Sequence, residues 1–136
     1  MDKSKLSRNF TLNEFLTGAS SMPLESHSLI KSEFNETIEI ELYKVANCLQ
    51  VIRDHIKHPI TITCGFRPEE WDIRQGRDGQ SAHCKGKACD FTTSDLKSVF
   101  MLCKKVFPGF GIQINEKAQF IHFDTIIEPF GRTWSY

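Results

Sequence analysis

No stretch of this chain is apolar for long enough to cross a bilayer, and Met1-Asp2-Lys3-Ser4-Lys5-Leu6 lacks the apolar run of a signal peptide. The chain is therefore expected to be made in the cytoplasm. An excess of one charge is missing too: 17 basic residues balance 17 acidic ones, and the lysines and arginines are dispersed. That argues against a nucleic-acid footprint and against a polybasic membrane patch. Paired short cysteine spacings are absent; five cysteines, an odd number, speak against a disulfide framework and for synthesis in a reducing compartment. There is no internal repeat and no low-complexity segment, and no feature of the sequence bears on oligomeric state.

What remains is the material of one compact domain over residues 1–136, with 40% hydrophobic and 11% aromatic residues. A short helix is expected from 13 to 16, because Thr11 and Glu14 stand at capping-box spacing. Residues 18–25 read as a loop. From 35 to 56, Ile38, Leu42, Val45, Leu49, Ile52 and Ile56 recur every three or four positions and predict one long helix. Ile60-Thr61-Ile62-Thr63 alternates as a strand should, residues 69–79 read as a polar loop, and 94–106 carries a second helical stripe ended by Pro108 and Gly109. Residues 111–115 and 120–126 read as a hairpin. The fold class implied is α+β, a small antiparallel sheet with helices packed on one side.

The chemistry concentrates in Ser81-Ala82-His83-Cys84-Lys85-Gly86-Lys87-Ala88-Cys89-Asp90-Phe91 and, later, Phe120-Ile121-His122-Phe123-Asp124. His83, His122 and Asp90 are metal-ligand candidates: two imidazoles and a carboxylate are what a hydrolytic zinc site needs, because three protein ligands leave the fourth tetrahedral position open for water. Six residues separate His83 from Asp90, so the two cannot lie one helical turn apart. A loop must join them, with Gly86 permitting the turn, Asp90 on a strand and His122 on a neighbouring one. Cys84 and Cys89 suggest a rival structural zinc knot, but Cys89 should point opposite to Asp90 on a strand. Cys48, Cys64 and Cys103 sit in apolar surroundings and read as core residues. His27, His55 and His58 stand in no such motif and read as structural or exposed.

Ser-x-His-x-x-Gly-x-Ala-x-Asp followed by Phe-Ile-His-Phe-Asp resembles the zinc D-alanyl-D-alanine carboxypeptidase and L-alanyl-D-glutamate endopeptidase family, whose fold is shared with Hedgehog signalling domains. Leu6 to Phe15 looks like the N-terminal segment of phage-type members. Thr63-Cys64-Gly65-Phe66-Arg67 is similar to their Ser-Gly-Tyr-Arg strand end, and Gly131-Arg132-Thr133-Trp134 to the Arg-x-Trp close of one branch.

The resemblance implies Zn2+ as cofactor, held by His83, Asp90 and His122, and an amide bond of a peptidoglycan stem peptide as substrate. It makes Arg67 a substrate or oxyanion contact, for which a planar guanidinium is suited. Ser81 either bonds substrate or caps its own loop. The family's general base, three residues before the last histidine, is here Gln119, which accepts no proton at neutral pH. Asp124 or Glu116 would have to replace it, unless Asp124 instead orients a zinc histidine or pairs with Arg132. The expectation is an endolysin-like or carboxypeptidase-like enzyme that reaches the wall after release or as a virion component. The competing expectation is a catalytically inactive zinc-fold virion or binding protein, which Gln119 favours.

Overall fold

The computed structural model describes residues 5–16 and 27–127. The segment 18–25 and the motif Gly131-Arg132-Thr133-Trp134 lie outside them.

Helix α3, Glu36–Ile56, is the scaffold. Asn35 precedes it in extended backbone and accepts the Ile38 N–H at 3.0 Å, while Glu36 and Glu39 place negative charge at the positive end of the helix. Of the predicted stripe, Leu42, Val45, Leu49 and Ile52 are completely buried, joined by Ala46, while Ile38 is buried and Ile56 half-buried. The helix ends at Lys57, whose left-handed backbone lets its N–H reach the Arg53 carbonyl two residues before Pro59. A small ribbon of β1 (Lys5–Ser7) and β2 (Phe10–Thr11) is tied to α3 through Gln50, whose Oε1 accepts from Ser7 Oγ at 2.9 Å and Asn9 N–H at 2.8 Å. Helix α1, Leu12–Leu16, starts on the expected capping box: the Thr11 N–H donates to Glu14 Oε1 at 2.9 Å and the Glu14 N–H to Thr11 Oγ1 at 3.3 Å.

Strands β3 (Ile60–Cys64), β4 (Ala88–Thr93), β5 (Gly111–Asn115) and β6 (Phe120–Asp124) form one antiparallel sheet in the order β3-β4-β6-β5. Strand β6 stops at Asp124, two residues short of the expected end. One face is apolar: Ile60, Ile62, Cys89, Phe91, Ile121 and Phe123 are buried with α3 and with Leu96, Val99 and Cys103 of α5 (Leu96–Val106). Phe123 meets Phe107 and Phe110 edge-on at 5.5 and 5.7 Å between centroids. Burying a ring of this size contributes about 1.5–3 kcal/mol.

The alternation of the strands turns Asp90 and His122 to the other face, where they stand directly opposite each other. Cys64 joins the same row. It is buried, as expected of a core residue, but on the polar face, because the register shifts between Ile62 and Cys64: Ile62 pairs with Phe91 but Cys64 with Asp90, so Thr63 is an extra residue and the strand end swings over. On the far side of His122 the row ends with Gln113.

Two helices are not among the elements read from the sequence, and one of them overturns an expected loop. Helix α2, His27–Glu33, follows the undescribed segment, and α4, Glu69–Arg74, occupies the first half of what reads as a loop. Glu33 of α2 explains α4, since its two carboxylate oxygens accept the backbone N–H groups of Glu69 and Glu70 at 2.7 and 3.1 Å. Those are donors a helix start cannot satisfy internally.

Candidate metal centre

His83 lies on a single 3-10 turn, Ala82–Lys85, that Ser81 caps by accepting the His83 N–H at 3.2 Å. Gly86 closes the turn at φ +73°, and a β-carbon there would lie 2.8 Å from the carbonyl of Ile38 on α3. The loop is thus seated against the long helix, and β4 leaves it towards Asp90. His122 comes from the adjacent strand, as expected. Its ring and that of His83 meet edge-on with centroids 5.2 Å apart.

Each ring has one nitrogen already engaged. His83 Nδ1 lies 2.9 Å from the Gly65 carbonyl oxygen, which only accepts, so Nδ1 carries a proton and Nε2 is the nitrogen that could hold a metal. Gly65 is needed there: a β-carbon would come within 2.3 Å of the Phe15 carbonyl, which also accepts the Phe66 N–H at 2.7 Å. His122 Nε2 donates to Asp124 Oδ2 at 2.8 Å, and the other Asp124 oxygen takes the Ile126 N–H at 3.2 Å. The remaining nitrogens, His83 Nε2 and His122 Nδ1, converge on Asp90 Oδ1 at 3.3 and 3.0 Å. Metal-binding histidines are oriented in this way, through a carbonyl or carboxylate on the far nitrogen.

Cys64, His83 and Asp90 also each bring one ligand atom within 4.8 Å of the others. The thiol, however, lies 3.7 Å from His83 Nδ1, the nitrogen already given to Gly65. The sulfur therefore flanks the His83 ring on its engaged side, and the donor set fits a metal best as His83, Asp90 and His122. Electrostatics agree. Burial works against a charged His83, but Cys64 and the Asp90 carboxylate outweigh it and push its pKa up to about 10. Burial likewise opposes the Asp90 charge, yet the two histidines hold its carboxyl well below the usual range. Without metal, the raised pKa of His83 keeps a proton beside this carboxylate.

The cleft over these ligands has a volume of about 330 Å³ and is lined by Arg67, Arg77, Ser81, His83, Asp90, Phe120 and His122. A larger cavity of about 670 Å³ lies against α3 and α4, with Glu33, Glu41, Glu69 and Lys87 on its walls, but it includes none of the three ligands. Arg67 enters the cleft from the end of β3, with its N–H on the His83 carbonyl at 3.2 Å. Its Nε lies 2.7 Å from Oδ1 of the fully buried Asp72, and its Nη2 donates to Ser81 Oγ at 3.2 Å. Ser81 therefore caps the loop and steadies Arg67 together.

Glu116 is exposed on the turn between β5 and β6 and does not line the cleft. Gln119 sits on that turn at φ +58°, its amide donating back to the Glu116 carbonyl. Among the described residues, Asp90 is the one carboxylate in the cleft lining. Sequence reasoning missed Cys64, Asp72 and Arg77; the α4 segment reads as polar loop, and no local pattern marks its charges as cleft residues.

A family model described as peptidase M15 matches residues 9–124. The chain belongs to the peptidase M15 family. M15 peptidases are zinc-dependent, and the matched span contains every residue of the centre just described. The α+β architecture with its small antiparallel sheet agrees with an M15-type fold. No curated protein matches the chain. Among the described residues no helix is long and apolar enough to cross a membrane.

Proposed function

We propose that this M15 protein hydrolyses an amide bond of peptidoglycan stem peptides, with zinc held by His83 Nε2, Asp90 Oδ1 and His122 Nδ1. The observation that carries the reading is the convergence of those three atoms while the opposite nitrogens are held by Gly65 and Asp124. Zinc, when bound with an open position, supplies Lewis acidity towards a carbonyl and acidifies water. Arg67 faces the same cleft, steadied by Asp72 and Ser81, and is placed to stabilise the oxygen on which negative charge develops. Asp124 acts through His122, by orienting its ring, rather than on substrate.

A second reading, a zinc-binding protein of the same fold without turnover, is favoured by Gln119 and by the scarcity of carboxylates in the cleft. Incubating zinc-loaded protein with purified muropeptides and analysing the products by mass separates the two. Cleavage at one amide is expected; intact muropeptides with stoichiometric zinc would leave the binding protein. His83→Ala and His122→Ala are each expected to abolish stoichiometric zinc in metal analysis, and zinc retained in both would refute the ligand set.

A further inference from the structure

The cleft carries more positive charge than its chemistry on a neutral amide requires. Arg77, on the turn after α4, brings a second guanidinium to the lining beside Arg67. Both depend on one carboxylate: Asp72 Oδ1 lies 2.7 Å from Arg67 Nε and 3.3 Å from Arg77 Nη1, and Asp72 is completely buried. Asp90, the carboxylate of the lining, is engaged by His83 and His122, which leaves Asp72 alone to face two guanidinium groups, so the arginine side of the cleft keeps an excess positive charge. The two arginines are held differently. Arg67 is 16% exposed: its Nε lies beside Asp72 as an ion pair without a formed hydrogen bond, its Nη2 donates to Ser81 and its Nη1 lies 4.0 Å from the Cys64 sulfur. The Arg77 side chain is 52% exposed and engages Asp72 through Nη1, while its backbone N–H is anchored on the Asp72 carbonyl at 3.1 Å.

We propose that Arg77 is a specificity-determining residue that binds a free carboxylate of the substrate beside the scissile amide. This inference rests on the peptidase reading above. A guanidinium has five donors in a planar fork that matches a carboxylate, and Asp72 engages one edge of it. The anchored backbone and the contact to Asp72 restrict where the rest of the fork stands, which reduces the ordering cost of binding. A substrate carboxylate there supplies the charge that Asp72 cannot. The cleft volume of about 330 Å³ is of the order of one or two residues, which puts that carboxylate within about a residue of the bond cut. Two stem-peptide arrangements meet the condition: a terminal D-Ala-D-Ala with its free C-terminus, and L-Ala-D-Glu with its free α-carboxylate.

The test uses the zinc-loaded full chain and two peptide pairs, D-Ala-D-Ala-terminated and L-Ala-D-Glu-containing, each with that carboxylate free and as its primary amide. For the pair that is cut, kcat/KM for the acid should exceed that for the amide by about tenfold or more in the wild type, as for a lost hydrogen bond to a charged group. The ratio should collapse towards one in Arg77→Gln and recover in part in Arg77→Lys, with the difference carried by KM. Equal cleavage of acid and amide by the wild type, or an unchanged ratio in Arg77→Gln, overturns the inference and leaves the peptidase reading standing. Calorimetric binding of the same peptides covers the opposite failure. Preference for the acid that is lost in Arg77→Gln, with nothing cut, supports the carboxylate site and refutes the peptidase reading.

Discussion

Strands β4 and β6 present two faces whose residues alternate one by one and answer to different physics. On one face Cys89, Phe91, Ile121 and Phe123 are completely buried among apolar neighbours. On the other, Asp90, His122 and Asp124 engage one another through directed polar contacts at 2.8 to 3.0 Å. The apolar face is held by area and shape, which tolerate exchange between residues of equal volume. The polar face is held by donors and acceptors that each have one role, so the loss of one leaves another unsatisfied. Neighbours in sequence should therefore fail in different ways.

The sharpest break is at Phe123. Phe123→Ala is expected to cost about 3–5 kcal/mol of stability through the cavity it leaves, read as a lowered denaturant midpoint, with zinc affinity falling only as far as the fold does. A variant with weakened zinc and an unmoved midpoint would contradict the division between the faces. One residue on, Asp124→Asn should do the reverse: zinc affinity drops by about 10 to 100-fold as the His122 ring loses its partner. Titration against a chelator of known affinity reads that loss.

Smaller, and specific to the polar face, is the response to pH. The Asp90 carboxyl is held low in the folded protein, so its contribution is present above the unfolded value of about 3.9 and fades as pH falls. The His83 pKa is raised to about 10, so its contribution is complete below about 6.5 and fades as pH rises towards 10. Metal-free protein should accordingly be most stable between about pH 4 and 6.5. Zinc needs a neutral His83, so its stabilising increment should grow over the range where the metal-free protein weakens. Denaturant midpoints with and without zinc across pH 3 to 10 test both slopes; parallel curves would mean that His83 does not meet the metal. The least effect is expected of Gln119→Glu, because that side chain folds back on its own turn; a gain in muropeptide cleavage would show that the turn rearranges over the cleft.

The apolar face was largely legible in the sequence, since periodicity reports burial: the α3 stripe, the α5 stripe and the strand alternation appear as read. The ligand candidates were legible for a different reason, because their residue types and spacing leave few other uses for them. What escaped depends on contacts between distant segments. Helix α4 takes its N-terminal partners from Glu33, 36 residues upstream of Glu69, and no local pattern can show that. Apolar surroundings mark Cys64 as buried, which it is, but do not show that the extra residue Thr63 turns it to the face that carries Asp90. Arg77 looks like any charged loop residue until Asp72, buried under the cleft, pulls it and Arg67 together.

The row Cys64, Asp90, His122, Gln113 crosses all four strands, with Asp90 and His122 at a single step of pairing. Sliding β4 by one residue would carry Asp90 into the apolar interior and deliver Cys89 in its stead, because side chains alternate with period two. A misaligned chain would still have strands, helices and a hydrophobic middle, and spectroscopy of secondary structure would hardly distinguish it. With the proposed ligand set broken, its ability to take up zinc would be gone. Stoichiometric metal uptake therefore counts, molecule by molecule, the fraction of a refolded preparation whose sheet has zipped in the right alignment.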